Sequence, residues 1–430
     1  MLYKTVGETV KLLNPTDIGN TIVHSAVKVS PVKSHIVWVN EEMHKIDWPS
    51  KFRRLVYDGV TEDFSYFVNY SETNPNGTFT AYTLSCHARE VIHPYGESLY
   101  WNGEDYPITT LKGVGHPKDT YMWKNTGEIF EGYQLYLCDE DISFSCGGKR
   151  PTTDDHEMSL KDFLSSRPVG LGYEKQLIHE MSAVAWLIKI GIKPPYLPVA
   201  VISLEEVIGN KGEKISVNDL PLDRYDKEGQ FLYSYTPSIA IKNLADVVRI
   251  PEMREEDFES YVCQNQNKYG WKSVEQYGLW GAEQLGWQIA LMHNYGATHG
   301  NIDGINLTRD FRLQDFADAK LPHLTQSLSI NPLKEIEDNT KRVAMDIIDS
   351  AYSCFNFSSS LYGINSGSNP ILKTKSATFA LSMIRKFMEV YTDKRQGIEQ
   401  EVITYIREQG YDFLLRRLIT NNNIPLRFIY

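Results

Sequence analysis

Hydrophobic and polar positions change their period partway along the chain. Up to about residue 120, short apolar–polar runs such as HIVWV at 35–39, FSYFVNY at 64–70 and GTFTAYTLS at 77–85 predict strands. Asn-Pro-Asn-Gly at 74–77 supplies a turn between two of them. PITTLKGVG at 107–115 predicts a strand running into a glycine-punctuated turn, and the polar stretch 138–157 predicts a surface excursion. Between 172 and 192 the period becomes helical: Leu177, Met181, Val184 and the pair Leu187 and Ile188 recur at three- and four-residue steps. Gly191, Pro194 and Pro195 stop that helix. YLPVAVISLEEV at 196–207 and QFLYSYTPSIAI at 230–241 predict strands on either side of a polar loop at 220–229. From about residue 243 onward the spacing is helical, most clearly at 271–296, 374–393 and 399–419. This order predicts an α+β chain: a β-rich N-lobe with one long helix over residues 1–243, then a helical C-lobe over 244–430.

Composition narrows the classes. A chain of 430 residues has enough core for two or three lobes, and 42% hydrophobic with 23% charged residues is the balance of a soluble globular protein. A net charge of −11 argues against nucleic acid or an anionic membrane as partner, because both select basic surfaces. Five scattered cysteines, an odd number, lack metal-knuckle or redox spacing and fit a reducing compartment. The opening MLYKTVGETVKLL has no signal-peptide core, and no apolar run approaches membrane-spanning length. Together these features lead us to expect a cytoplasmic protein.

The candidate chemistry lies in THGNIDGINLTRDFRLQDFADAK at 298–320. His299 and Gly300 open a loop, Asn306 follows with apolar Leu307 beside it, and a short polar turn leads to Asp315 and Phe316. Kinase-type phosphoryl transfer requires an amide oxygen from one loop and a carboxylate from the next to converge on Mg²⁺. Asn306 and Asp315 are of those types. Asn301 stands five residues before Asn306, where a kinase carries its base, and an amide cannot accept a substrate proton. Such a site also needs a strand cation for phosphate and a helix carboxylate to orient it. Lys112, followed by Gly113 and Gly115, and Glu180 on the 172–192 helix stand in the right chain order. Either alone would be read as a solvated surface charge.

These stretches, taken in order, resemble the selenoprotein O proteins, kinase-like adenylyltransferases. LKGVG at 111–115 is similar to that family's nucleotide-binding lysine turn, IHEMSAVAWLIKIGI at 178–192 to its glutamate helix, and 286–307 to its His-Gly…Asn loop. Lys242 and Arg249, seven residues apart, resemble the two arginines with which the family holds an inverted ATP. The resemblance spans roughly 105–320 and implies a protein-kinase-like bilobal fold. It also implies ATP and Mg²⁺ as cofactors and transfer of AMP to a hydroxyl of a protein or small molecule. In that scheme Lys112 and Lys242 with Arg249 meet phosphates, Glu180 orients Lys112, and Asn306 and Asp315 ligate the metal. The chain departs from the family at Ile305, where the family places an Asp as base, leaving Asp303 as the nearest carboxylate. It departs again at Asp315-Phe316-Ala317, at Lys242 in place of an arginine, and in having no cysteine after Cys354. Two alternatives remain open: γ-phosphate transfer on the same fold, and a nucleotide-binding pseudokinase without activity.

Overall fold

The structure is a computed structural model that describes residues 3–6, 9–12, 23–41, 48–69, 71, 76–84, 90–115, 145–147, 167–169, 171–209, 212–220, 222–225, 230–250, 253, 255–302, 306–322, 339–364, 368–395 and 398–407. The chain divides into two compact units, Met1–Ala185 with Tyr196–Val247 and Trp186–Pro195 with Val248–Tyr430. The first is β-rich and the second mainly helical, so the chain is α+β.

An antiparallel sheet forms the first unit. Its strands, numbered in chain order, are β1 (Val23–Pro31), β2 (Ser34–Val39), β3 (Tyr66–Val68), β4 (Phe79–Leu84), β5 (Glu90–Ile92), β6 (Ile108–Lys112), β7 (Gly172–Tyr173), β8 (Tyr196–Leu204) and β9 (Pro237–Leu244). They lie in the order β2-β8-β9-β6-β5-β4-β1-β3, with β7 also paired to β9. The runs read as strands from their alternation thus become β2, β3, β4 and β6. Every residue of β8 and β9 is buried, which explains why β8 reads as a nearly unbroken apolar run; β9 buries Ser238, Lys242 and Asn243 as well. The stretch expected as one strand at 230–241 is two, Phe231–Ser234 and β9. Pro237 opens the second, a position where a missing N–H is tolerated. The loop expected at 220–229 contains a strand, Asp223–Tyr225, paired with Phe231–Ser234. Of the polar segment 138–157, only the strand Ser145–Gly147 falls among the described residues.

Among the described residues two α-helices belong to this part of the chain, and one of them is absent from the sequence expectation. Helix α1 (Ser50–Asp58) buries Phe52 and Leu55, and its N-cap Pro49 makes no side-chain cap. One orphan amide is met from far along the chain instead: Glu97 accepts from Lys51 N–H at 2.8 Å, and also from the Ser50 hydroxyl at 2.9 Å. A cap supplied across 46 residues leaves no local signature. Helix α2 (Glu174–Lys189) is the expected 172–192 helix.

The second unit carries α3 (Glu255–Tyr269), α4 (Val274–Asn294), α5 (Asn339–Leu361), α6 (Pro370–Arg395) and α7 (Gln400–Tyr405). The run expected as a helix to 419 is described only as far as Arg407. Ser273 caps α4 by accepting from Gln276 N–H at 3.3 Å, while Gln276 Oε1 accepts from Lys272 N–H at 2.8 Å. Along α4, Gly278, Gly281 and Gly286 are buried and let neighbours approach the helix axis. A Cβ on Gly281 would lie within van der Waals overlap of the Phe311 ring, itself fully buried. Gly281→Ala is therefore expected to destabilise the protein by about 1–3 kcal/mol, read as a lower midpoint in urea unfolding. Among the described residues no helix is long and apolar enough to cross a membrane.

Candidate functional site

In the first unit, Lys112 ends β6, and its ammonium meets Glu180 Oε2 of α2 at 2.5 Å. The side chains are only 12% and 3% exposed, so this is a buried pair and not two solvated charges. Antiparallel register then builds a cluster on the same sheet face. Lys112 stands opposite Glu90 of β5, and Thr110, two residues before Lys112, stands opposite Lys242 of β9. Two-residue periodicity keeps Lys112, Glu90 and Lys242 on that face. Lys242 Nζ pairs with Glu90 Oε2 at 3.1 Å, with both side chains almost wholly buried, and lies 4.4 Å from the centre of the Tyr196 ring. The Tyr196 hydroxyl donates to Glu180 Oε1 at 3.1 Å. Two ammoniums and two carboxylates thus share one dry patch. Burial is the strongest influence on Lys242 and pulls its pKa below the ordinary lysine range; Glu90 opposes that shift and Lys112 adds to it.

Gly113 and Gly115 follow Lys112 with positive φ. Each is required within the fold: a Cβ at Gly113 would collide with the Ser238 carbonyl, and one at Gly115 would press on the Phe67 ring at 3.0 Å.

The second unit carries the His-Gly…Asn loop and the Asp-Phe turn. Asn306 and Gln314 are joined by a backbone bond, Gln314 N–H to Asn306 carbonyl at 2.8 Å, and Leu307 bridges Leu313. Those pairings hold Asn306 and Asp315 at the open end of one small hairpin. Asp315 takes a left-handed backbone, φ 59 and ψ 68, which an Asp tolerates better than most residues. Asn306, nearly buried, donates its side-chain N–H to the Asn301 carbonyl at 3.0 Å, so Oδ1 is the atom it offers a cation. One amide oxygen and one carboxylate suit Mg²⁺, which keeps waters and takes its remaining ligands from phosphates. Among the described residues no group of three or more His, Cys, Asp and Glu forms a self-sufficient metal cage.

His299 braces the turn rather than facing outward. Fully buried, it donates Nε2–H to the Gln314 carbonyl at 2.9 Å and accepts the Asn301 N–H at Nδ1, 3.3 Å away. Those partners demand the neutral Nε2–H tautomer. Burial is also the strongest influence on its pKa and lowers it, against the opposing pull of Asp346. Its ring packs on Phe316 with centroids 4.6 Å apart.

Asp346 of α5, fully buried, holds the other side of this loop. Its Oδ2 accepts from His299 N–H at 2.7 Å and its Oδ1 from Gly300 N–H at 2.8 Å. His293 of α4 donates to Oδ2 at 3.1 Å and accepts from the Tyr391 hydroxyl of α6 at 2.7 Å. Burial raises the Asp346 pKa, but His293 and the Gly300 amide outweigh it and the net direction is down. Ser353 ties the loop again, donating to the Ile302 carbonyl at 3.2 Å.

Of the residues singled out from sequence, Lys112, Glu180 and Lys242 come together in the first unit, and Asn306 and Asp315 in the second. The basic pair Lys242 and Arg249 is divided: Lys242 sits mid-strand, while Arg249 is buried in the second unit and bridges Thr308 through the backbone. Asp303 and Ile305 lie outside the described residues. Glu90, Tyr196, Asp346 and His293 were not foreseen. Asp346 did leave a signal: at three- and four-residue steps it lines up with Val343, Ser350, Ser353 and Phe357 on the buried stripe of α5.

No protein-family model matches the chain, and no curated protein is similar to it. Among solved structures it is similar to the kinase domain of a Toxoplasma gondii-specific rhoptry antigen at 10% identity and a TM-score of 0.26, covering 80% of this chain and 86% of that one. It is also similar to a second Toxoplasma gondii protein, described as a virulence factor with a protein-kinase fold and no enzymatic activity. There the identity is 9% and the TM-score 0.25, over 81% of this chain and 79% of the other.

Proposed function

We propose that the chain is a Mg²⁺- and ATP-dependent nucleotidyltransferase on a kinase-like fold, moving AMP to a hydroxyl of a protein or small molecule. The observation that carries this is the buried Lys112–Glu180 pair joining a strand to a helix, with a second buried ammonium, Lys242, beside it. A lone phosphate needs one such cation; two on one sheet face suit the dense charge of a polyphosphate. Lys112 would hold phosphate oxygens, with Glu180 fixing its direction. Lys242 would offset charge on the departing pyrophosphate, a role the sequence resemblance also gives to Arg249. Asn306 Oδ1 and the Asp315 carboxylate would hold the metal, which supplies charge neutralisation between phosphates. The amide at Asn301 is tolerable because phosphoryl and nucleotidyl transfer depend chiefly on in-line positioning and charge neutralisation. Asp303 is assigned as base of the acceptor hydroxyl.

Incubation with Mg²⁺ and ATP labelled at the α- or the γ-phosphate tests this directly. Covalent α-label with released pyrophosphate is the expected result. Covalent γ-label would mean phosphotransfer, and ATP binding with neither label transferred would mean a pseudokinase, the alternative that Asn301 favours. Asp315→Asn keeps a residue that accepts the left-handed backbone and removes the charge a cation needs. It is expected to lower α-label transfer by about 100-fold with an unchanged melting midpoint. Transfer at the parent rate would remove Asp315 from the metal site.

A further inference from the structure

Lys112 and Lys242 are held by different carboxylates, yet one side chain touches both pairs. Tyr196 opens β8 and is fully buried. Glu180 gives Oε2 to Lys112 and accepts the Tyr196 hydroxyl on Oε1, so the tyrosine fixes the roll of the carboxylate that aims Lys112. The ring of the same tyrosine lies 4.4 Å from Lys242 Nζ. Register accounts for this double reach. Tyr196 stands opposite Leu244, two residues from Lys242, and so shares its face of the sheet. In a site this dry, a ring face stabilises an ammonium far better than it does at a solvated surface.

We propose that Tyr196 is a positioning residue that couples Lys112 to Lys242, so that the two ammoniums engage one polyphosphate chain as a unit. Glu90 is the counter-charge that keeps Lys242 on the Tyr196 ring until the polyanion arrives. This inference rests on the nucleotide reading above and adds what selects a chain of phosphates over a single one. The two ammoniums stem from diagonal positions of neighbouring strands with Cβ atoms up to about 7 Å apart, so a chain of phosphates gives each ammonium a phosphate of its own, whereas orthophosphate offers one phosphate for both to share. Tripolyphosphate, or the triphosphate of ATP, spans that separation. The role of Tyr196 is therefore visible in the ratio of those affinities.

The test is calorimetric titration of the full chain with MgATP, tripolyphosphate and orthophosphate. Tyr196→Phe keeps the ring and removes the hydroxyl. It is expected to weaken MgATP and tripolyphosphate about tenfold, as for a lost hydrogen bond to a charged group, to leave orthophosphate unchanged, and to lower the melting midpoint modestly because Glu180 Oε1 loses its donor. A second background keeps the idea open to failure should single charge removals unfold the protein: Lys242→Met with Glu90→Gln, in which no charge is left buried alone. There, Tyr196→Phe is expected to weaken tripolyphosphate by less than about twofold, because the partner it couples to is gone. Effects that simply multiply, or equal losses for orthophosphate and tripolyphosphate, would overturn the coupling while leaving nucleotide binding intact. If the parent protein binds neither MgATP nor tripolyphosphate, the nucleotide reading falls and this inference falls with it.

Discussion

Asp346→Ala is expected to destabilise the protein by about 3–5 kcal/mol, the largest effect of any single change in the second unit. The carboxylate is fully buried and accepts three hydrogen bonds: two from the successive amides of His299 and Gly300, one from the His293 ring. Alanine leaves all three donors facing a void, and a buried unmet donor forfeits its full desolvation free energy. Asp346→Asn preserves the shape and one acceptor oxygen, so a smaller loss is expected, and its pH dependence isolates the charge. The native pKa of Asp346 is depressed, so its ionised form is favoured by folding. That contribution is fully present above the unfolded carboxylate value of about 3.9 and is lost as the pH falls below it. The stability gap between parent and Asp346→Asn, followed by urea unfolding from pH 7 to pH 3, should therefore be widest at neutral pH and narrow in acid. A gap that widens in acid would reverse the sign of the assigned shift. Loss of loop order should also appear as faster amide hydrogen exchange at His299 and Gly300.

Lys112→Met is the second large effect. It leaves the Glu180 carboxylate, 3% exposed, with the Tyr196 hydroxyl but without its cation. Breaking a buried pair from one side destabilises by about 3–5 kcal/mol. Adding Glu180→Gln removes the stranded charge and keeps an oxygen for Tyr196, so the double variant is expected to regain at least half of that loss. Nucleotide affinity should not return with it, because no ammonium remains at position 112. The two readouts thus separate folding from function, with thermal midpoint recovering and ATP titration staying flat. Recovery of both would make the pair purely structural, while recovery of neither would indicate that Lys112 supports the sheet in some other way.

Much of the secondary structure was legible because the relevant forces are local. The period-2 runs at 35–39, 77–85 and 107–115 and the 3.6-period run at 172–192 announce themselves through side-chain alternation. Helix α1 was illegible because its cap, Glu97, comes from a distant part of the chain. Asn306 and Asp315 could be singled out because an amide and a carboxylate paired on one short hairpin have a fixed chain interval. Glu90 and Tyr196 could not, since nothing in EVI or YLPVAVISL reveals which lysine each will meet.

By itself the sequence determined the α+β order of elements, the types of charged group present, and the candidacy of Lys112, Glu180, Lys242, Asn306 and Asp315. Periodicity, turn chemistry and donor type are properties of neighbouring residues, so the chain states them directly. Tertiary structure alone decided that Lys112 and Glu180 are a buried pair and not two surface charges. It also decided that Lys242 rests on Tyr196 against Glu90, and that Asp346 grips the His299–Gly300 backbone. Those outcomes depend on strand register and helix packing across tens to more than a hundred residues, and only there does burial turn a common side chain into a charge with a fixed partner.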